Sequence, residues 1–494
     1  MVLTDEEQPL LRIISHDLES EVGNNAQQDE GLLDFESLDP EDPKNWPSTF
    51  KWGIVSLLAL MAFTVTFTCI GVVPVASRIV EDLDGKQASS ANSVLIVTIW
   101  ELGEAAGPLF IAPLSEVLGR YPVMNACNIG FCAATFLAVC SQNSKVFIAA
   151  RMLTGLSVAS NVLNPSIIGD IFESDQRGSA MSMIMLAPLI GGAIGPAISG
   201  AIAQTLGWRR ILVIAAGLAI LCEILFLTCF RETYKMAILR QRKAESQRGS
   251  GELEDYQESK SKHKNVMKLW HSTTRPFAVL FGSTVLMLLS LFASVAFSYF
   301  YVISVTLPDI LVENYGFTPA QTGSAFVSFS IGSLCSVLVC NFTLDRIYIK
   351  LRGHPDATGK PEYRLPLSII GALLLPLSVT AYGWIAELRL PVPLLLASVS
   401  LLGFTLLLTV IPLSAYVIDA FGIYSASAMT GVIVTRCLAG TFLPLAAGPL
   451  AEHLGYGLGF SCLGSLSLVL AIIPILILKY GEKWRQHSEF TKDM

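Results

Sequence analysis

Charged residues are scarce in this chain of 494 residues, where Asp, Glu, Lys and Arg together make up only 15%. A soluble globular protein carries about 25% charged residues. Hydrophobic residues reach 52%, and the mean hydropathy is +0.57. This composition resembles a protein interior, so it predicts a chain that is solvated largely by lipid. It excludes collagen, a coiled coil and a disulfide-rich scaffold.

Motifs of several function classes are also missing. The chain has no GxxxxGK[ST] phosphate-binding loop, which argues against a pump driven directly by ATP. Its ten cysteines form no CxxC pair and have no histidine at metal-ligand spacing, so we predict neither a metal nor a cofactor. No nucleophile with a base stands out, and we expect no enzymatic activity. The polar first 51 residues exclude a cleavable signal peptide.

The net charge of −7 is distributed unevenly along the chain. Residues 1–51 contain thirteen Asp and Glu against three Lys and Arg, a net charge of −10 that leaves +3 for the remaining residues. The body of the protein is therefore apolar and only mildly basic, and it is a poor fit for a nucleic-acid binder. We expect no nucleic-acid partner.

Long apolar runs are abundant. A helix needs roughly 20 apolar residues to cross a bilayer, whereas barrel strands would show alternation over about ten residues, which is not visible here. The sequence therefore predicts an all-α membrane protein with twelve transmembrane helices. The twelve runs are 52–74, 93–113, 122–141, 146–167, 180–204, 211–230, 278–306, 322–344, 365–386, 391–415, 424–447 and 456–478.

The basic residues of the loops predict an orientation. With a cytoplasmic N-terminus, 25 Lys and Arg lie on the inner side and six on the outer side, so both termini should be cytoplasmic. Six spans on each side of a polar stretch suggest two pseudo-symmetric bundles with a site between them at the bilayer midplane. The predicted units are a disordered acidic cytoplasmic tail (1–51), an N-terminal six-helix bundle (52–230), a cytoplasmic linker (231–277), a C-terminal six-helix bundle (278–478) and a cytoplasmic tail (479–494).

Two acidic residues lie deep in the second span. Glu101 and Glu104, in VTIWELGEAAGP, are three residues apart and project from adjoining parts of one helix face. Two carboxylates in a low dielectric cannot both ionise cheaply, so at least one should keep its proton near neutral pH and exchange it as water access alternates. The alternative is pairing with an arginine or asparagine on another helix. Which of the two carries the proton stays open.

Other polar side chains within the spans are also candidate site residues. A charge inside a membrane costs about 2.5–3.5 kcal/mol, so each such residue is expected to have a partner, a cavity or a function. Arg436 could balance a carboxylate or an anionic substrate, or it could form a structural pair. Arg151, near a span end, could form hydrogen bonds to exposed carbonyls or take part in the functional site. A structural partner best explains Glu223. In the stretch FSYFYV, Tyr299 and Tyr301 could line a cavity or pack. The predicted proton-coupling and substrate set is Glu101, Glu104, Arg436, Arg151, Asn161, Asn164, Trp100 and Tyr299.

The loop after the second span reads APLSEVLGRYPV. Its position and residues resemble the major facilitator superfamily motif Gly-x-Leu-x-Asp-x-x-Gly-Arg: Leu114, Gly119 and Arg120 match, whereas Ala112 and Glu116 replace Gly and Asp. The second half keeps only a trace, LDRIY. The resemblance implies twelve helices that alternate access around a central cavity. It implies a cytoplasmic gating set of Ser115, Glu116, Gly119, Arg120, Asp170 and Arg177.

The fifth span, LIGGAIGPAISG, resembles the glycine-rich motif of proton-driven antiporters in this superfamily. The matching residues are Gly191, Gly195, Pro196 and Gly200, and Ser199 departs from the pattern. Glycines allow close backbone approach and proline removes a helical hydrogen bond, so the physical expectation is a closely packed, bent helix. Tight packing without a role in antiport is the alternative.

Further stretches narrow the resemblance to fungal multidrug exporters of the twelve-span drug:proton antiporter group; they include DPEDPKNWP, GDIFESDQRGSA, RETY and EYRLP. The resemblance implies proton-coupled export of a drug, toxin or secondary metabolite. The alternatives are a proton symporter or facilitator that takes up a small organic solute or polyamine, and a non-transporting receptor on a transporter fold. The expected partners are an organic substrate, protons and the bilayer. We expect a monomer in the plasma membrane, with a vacuolar or endosomal membrane as the alternative.

Overall fold

The structure, a computed structural model, describes residues 39–85, 89–250, 273–353, 359–488 and 490–491. All secondary structure in this part of the chain is helical, which confirms the predicted all-α class. The helices are α1 (Ser48–Ile70), α2 (Ala76–Asp84), α3 (Ser90–Leu118), α4 (Arg120–Val139), α5 (Ser144–Leu156), α6 (Ser160–Ile171), α7 (Ser174–Leu206), α8 (Trp208–Cys229), α9 (Lys235–Ser250), α10 (Thr284–Tyr315), α11 (Pro319–Arg352), α12 (Leu365–Glu387), α13 (Val392–Phe421), α14 (Ser425–Leu470) and α15 (Ile472–Arg485).

Ten helical stretches in the described residues are long and apolar enough to cross a membrane. The predicted number of twelve differs from this for two reasons. The predicted span 146–167 is divided between α5 and α6, with a break after Leu156. The last two predicted spans lie along one stretch, in which α14 is two helices joined at Gly455, where φ is 76°. Twelve spans therefore stay a prediction.

The outer surface of the helices carries large apolar side chains. Phe136 is 61% exposed and Phe281 is 67% exposed, and many leucines and isoleucines on other helices are similarly uncovered. A water-soluble monomer rarely exposes so much contiguous apolar surface, whereas lipid solvates it without cost. The surface is therefore that of a multi-pass membrane protein.

The helices pack in two groups. In the N-terminal group, α1 packs against α7 and α8, α3 against α5, and α4 against α5 and α8. In the C-terminal group, α10 packs against α14, α11 against α13, and α12 against α13 and α14. The groups meet mainly along two helix pairs, α3 with α14 and α7 with α11, and α3 also contacts α10. Any side chain at these two seams therefore touches both groups.

The end of the bundle that contains Ser48 and Arg485 is called the proximal end, and the opposite end is the distal end. At the distal end the two groups approach most closely at two glycines. A Cβ on Gly200 would collide with the backbone of Pro319, and a Cβ on Gly323 would collide with the backbone of Pro196. The only residue that allows this backbone contact is glycine, so part of the glycine-rich motif of α7 closes the distal end.

The predicted disordered tail extends too far. Residues 39–51 are structured: Asp42 caps a short turn at Pro43–Asn45, and α1 begins at Ser48. Residues 1–38 lie outside the described part of the chain. Arg242, on α9 within the predicted linker, donates to both carboxylate oxygens of Asp39 at 2.6 and 2.9 Å. These bonds hold the pKa of Asp39 below its usual range.

Part of the predicted cytoplasmic C-terminal tail, 479–494, is helical. Helix α15 continues to Arg485, whose buried guanidinium donates to both oxygens of Glu362 at 3.0 Å each. A bidentate pair of this kind is stronger than a single charged contact and fixes the direction of both side chains. The end of α15 is therefore tied to the start of α12.

Candidate functional site

Glu101 lies where three helices from both groups meet. Its side chain is 1% exposed, and its Oε1 accepts a hydrogen bond of 2.5 Å from the hydroxyl of Tyr301 on α10. Gly440 on α14 makes room for this contact, because a Cβ there would lie 3.2 Å from the Tyr301 ring and 3.5 Å from Glu101 Oε2. The bond therefore joins the N-terminal group to the C-terminal group.

Glu104 lies one helical turn further along α3 and is 4% exposed. One oxygen each of Glu101 and Glu104 and the Sγ of Cys437 lie within 4.8 Å of one another. The two carboxylates are thus close enough for each to oppose ionisation of the other in these buried surroundings. Their spacing could also suit a metal ion, which the nearby positive charge of Arg436 would repel.

Arg436 is half-buried on α14 and places its guanidinium carbon 4.3 Å from the centre of the Phe297 ring, a cation–π arrangement. Its charge acts on both Glu101 and Glu104. Its Nε makes no hydrogen bond to the described residues. A buried donor without a partner is costly, so Arg436 is available to a carboxylate or to a ligand.

Arg151 is held differently. Its Nη1 and Nη2 donate to the carbonyls of Thr68 and Cys69 at 2.9 and 2.7 Å, and its Nε donates to the carbonyl of Ile96 at 3.2 Å. Thr68 and Cys69 belong to the last turn of α1, where carbonyls lack helical partners and the helix dipole favours a cation. These contacts favour the structural alternative for Arg151.

The two tyrosines of FSYFYV face different surroundings, because residues two apart on a helix point about 200° apart. Tyr299, the one in the predicted site, donates to the carbonyl of Leu463 at 2.7 Å, within the C-terminal group. Tyr301, which the predicted site leaves out, reaches Glu101 instead. Periodicity alone gives no signal for which of the two faces the neighbouring group.

The remaining predicted central residues are scattered. Trp100 is largely buried on α3, and Asn164 is buried on α6 with its Oδ1 lacking a partner among the described residues. The side chain of Asn161 lies outside the described part of the structure. Glu223 is buried on α8 beside Asn128 of α4, within the N-terminal group and away from the central carboxylates.

At the proximal end, Arg120 joins α3, α4 and α6. Its Nη1 donates to Ser115 Oγ at 2.5 Å, and its Nε lies 3.3 Å from Asp170 Oδ2. The ion pair of Arg120 is thus with Asp170 rather than with Glu116. Arg177 donates to the carbonyls of Phe172 and Gly169, at the end of α6. All of these contacts lie inside the N-terminal group.

Glu232 is a residue of this cluster that the sequence analysis missed. Its carboxylate accepts hydrogen bonds from the backbone N–H groups of Arg120 and Tyr121 at 2.8 and 3.1 Å. Glu232, which lies just after the C-terminal end of α8, therefore caps the N-terminus of α4. Gly119 precedes Arg120 and Tyr121 with φ of 103°, and a Cβ there would collide with Glu232. The stretch RETY contributed only a family resemblance, because its partner lies 112 residues away.

The C-terminal group has a counterpart to this cluster. Arg364, at the start of α12, pairs with Asp345 at 2.5 Å and with Asp419 at 2.9 Å, and it lies over the ring of Tyr348. The motif trace LDRIY thus supplies the carboxylate, whereas the arginine comes from EYRLP. These contacts again stay within one group.

Comparisons with known proteins agree with this geometry. The protein named efflux pump radE, from Floropilus chiversii, is 30% identical over 471 residues that cover 94% of this chain and 86% of that protein. The MFS-type transporter penM from Penicillium rubens is 32% identical, with 94% and 91% covered.

Solved structures show the same fold. The xylose transporter XylE from E. coli, in a partially occluded inward-open conformation, has a TM-score of 0.63 at 15% identity, with 87% of this chain and 99% of that chain covered. A POT family transporter has a TM-score of 0.63 at 14% identity, with 87% and 96% covered. The family model of the Major Facilitator Superfamily matches residues 55–435. The chain therefore belongs to the major facilitator superfamily of membrane transporters.

Proposed function

We propose that this protein exports amphipathic organic compounds from the cytoplasm in exchange for protons, by alternating access between its two helix groups. The observation that carries the proposal is the buried Glu101 carboxylate, which lies beside Glu104 and is bonded by Tyr301 across the seam between the groups. A relative named as an efflux pump and the glycine-rich motif of α7 support export.

The proposed cycle begins from the described conformation, in which the distal end is closed by Gly200 and Gly323 against the opposite group. Glu101 and Glu104 are only 1% and 4% exposed in this state, so, with both termini cytoplasmic, a separation of the proximal ends is the step that gives them access to the cytoplasm. A proton leaves for the cytoplasm and the organic compound enters, with Arg436 and the Phe297 ring as its polar and apolar contacts. Separation of the distal seam then exposes the site outward, where the compound leaves and a proton binds.

The arginine clusters at the proximal end hold each group together in this cycle. Arg120 with Asp170, and Arg364 with Asp345, connect helices of the same group, so each group can move as a unit. We propose that the predicted gating role of Arg120 is exerted through this rigidity. When the proximal ends approach each other, the same cluster becomes part of the closed cytoplasmic side.

The test is transport in proteoliposomes with a fluorescent amphipathic dye and an imposed pH gradient. Wild-type protein should move the dye against the direction of the proton gradient, and a protonophore should abolish the movement. The variants Glu101→Gln and Glu104→Gln should lose gradient-driven movement, because an amide cannot carry the proton. Glu452→Gln, which alters an exposed carboxylate of α14 outside the central site and outside the predicted gating set, is the control.

Four results would contradict the proposal. Dye flux that does not depend on the gradient would remove proton coupling, and full coupling in both Glu101→Gln and Glu104→Gln would remove their role. Movement of dye and protons in the same direction would identify a symporter instead. Saturable dye binding with no flux would identify a receptor on a transporter fold.

A further inference from the structure

Tyr301 makes a hydrogen bond that crosses between the two helix groups at the central site. Its ring is buried, its hydroxyl donates to Glu101 Oε1 at 2.5 Å, and Gly440 leaves the space that the ring needs. We infer that Tyr301 is a positioning residue that links the charge on Glu101 to the contact between α3 and α10. This inference rests on the proposed proton exchange and deepens it.

The link follows from the chemistry of the acceptor. A hydroxyl that donates to an ionised carboxylate forms a shorter bond, about twice as strong as one to a neutral acceptor. Low local dielectric strengthens this difference. When Glu101 is ionised, Tyr301 therefore holds α10 firmly against α3, and when Glu101 binds a proton the hold weakens.

Other groups around Glu101 also act on its charge. Glu104 on the same helix disfavours ionisation of Glu101, and Arg436 on α14 favours it. Arg151 is nearby, but its hydrogen bonds are directed to carbonyls. Tyr301 gives Glu101 a short directional bond from the C-terminal group, and the thiol of Cys437, a weaker donor, lies close to the same carboxylate. The titratable and charged groups facing this site are Glu104, Arg151, Cys69, Tyr301, Arg436 and Cys437.

The direction in which the charge on Glu101 changes the contact between α3 and α10 suits antiport. After Glu101 has released its proton to the cytoplasm, the bond from Tyr301 stabilises the contact between α3 and α10, so the empty protein is held in one state until the organic compound binds. The same bond weakens when a proton binds. The protein therefore changes state only when a proton or the compound loosens this contact, which is what an exchange requires.

The experiment compares Tyr301→Phe with Tyr382→Phe in the full-length protein. Tyr382 is equally buried, but its hydroxyl meets Thr306 at 3.2 Å within the C-terminal group. Loss of the donor to a carboxylate should move the midpoint of the pH profile of dye transport up by about one pH unit in Tyr301→Phe. Tyr382→Phe should keep the wild-type midpoint.

A second measurement needs no substrate. The infrared carbonyl band of protonated Glu101, assigned by its loss in Glu101→Gln, is followed against pH in purified protein. The band should persist to a pH about one unit higher in Tyr301→Phe than in wild type. If Tyr301→Phe fails to fold, Gly440→Ala displaces the same ring, because the new Cβ would lie 3.2 Å from it, and should give a smaller shift in the same direction.

The possible results separate the two proposals. An unchanged band and an unchanged transport midpoint in Tyr301→Phe would overturn the role of Tyr301 and leave proton exchange intact. An equal shift in Tyr382→Phe would also overturn it, because the effect would then be general. Wild-type transport that ignores the pH gradient would overturn the proposed function itself, whatever the band does.

Discussion

Arg151 and Arg436 are two arginines inside apolar helices, and they differ in whether the N–H groups of the guanidinium have hydrogen-bond acceptors. Arg151 directs its guanidinium to three backbone carbonyls and is 1% exposed. Arg436 rests on the Phe297 ring and leaves its Nε without a partner among the described residues. The contacts of Arg151 therefore favour a structural role, whereas Arg436 is available to a ligand.

Contacts within one helix group differ from contacts between the two groups in whether they can persist through a transport cycle. Tyr299 and the Arg120 cluster bind inside one group, where the contact can persist through a transport cycle. Tyr301 and Gly200 touch the opposite group, where the contact must break and re-form. Substitutions of the first kind should reduce stability, and those of the second kind should reduce transport.

The largest expected effect is on Arg151. The variant Arg151→Met leaves the carbonyls of Thr68, Cys69 and Ile96 without their donor, and loss of charged hydrogen bonds should lower the free energy of unfolding by roughly 3 kcal/mol. Thermal unfolding of the detergent-solubilised protein measures this. An unfolding temperature equal to wild type would contradict the structural role.

Arg436→Met should show the opposite pattern. Removing Arg436 takes away the positive charge near Glu101 and Glu104 but leaves no backbone carbonyl of the described residues without its donor, so stability should fall by less than in Arg151→Met. Dye transport should fall about tenfold, which corresponds to one charge-assisted hydrogen bond of about 1.4 kcal/mol. Proteoliposome transport and thermal unfolding are measured on the same preparation. Lost stability with normal transport would make Arg436 structural, like Arg151.

Gly119→Ala tests the cap on α4. An alanine at φ of 103° is strained and pushes Glu232 from the N–H groups of Arg120 and Tyr121, so stability should fall by about 1 kcal/mol. The control is Gly217→Ala on α8, where a new Cβ meets nothing within 4 Å and stability should not fall. Equal thermal unfolding of the two variants would contradict the capping role.

The smallest expected effect is on the exposed ion pairs of Arg242. Asp39→Asn removes a solvent-screened partner, so the unfolding temperature at pH 7 should fall by less than in Gly119→Ala. The pKa of Asp39 lies below its usual range, so its pairing stabilises the fold above that range and is lost in acid. The difference between wild type and variant should shrink as the pH falls below the usual Asp pKa of about 4 and vanish below the lowered pKa of Asp39, and a difference that persists there would contradict the ion-pair role.

Much of the fold could be predicted from sequence because lipid imposes a strong pattern: long apolar helices with few charges. The nearness of Glu101 and Glu104 followed from their spacing on one helix. Spacing on one helix could not predict the contacts of Tyr301, Glu232 and Arg364. Their partners lie 200, 112 and 19 residues away, on other helices. Helical periodicity assigns side chains to a face, but the rotation of one helix against another decides which face meets a carboxylate.

The most direct test of proton exchange is the pH inside proteoliposomes while an amphipathic dye enters them down its own gradient, with no pH gradient imposed. If the protein exchanges the two, protons must leave as dye enters. The luminal pH should therefore rise with wild-type protein, and it should stay constant in the double variant Glu101→Gln/Glu104→Gln. Protein-dependent dye entry with a constant or falling luminal pH would contradict exchange through these carboxylates.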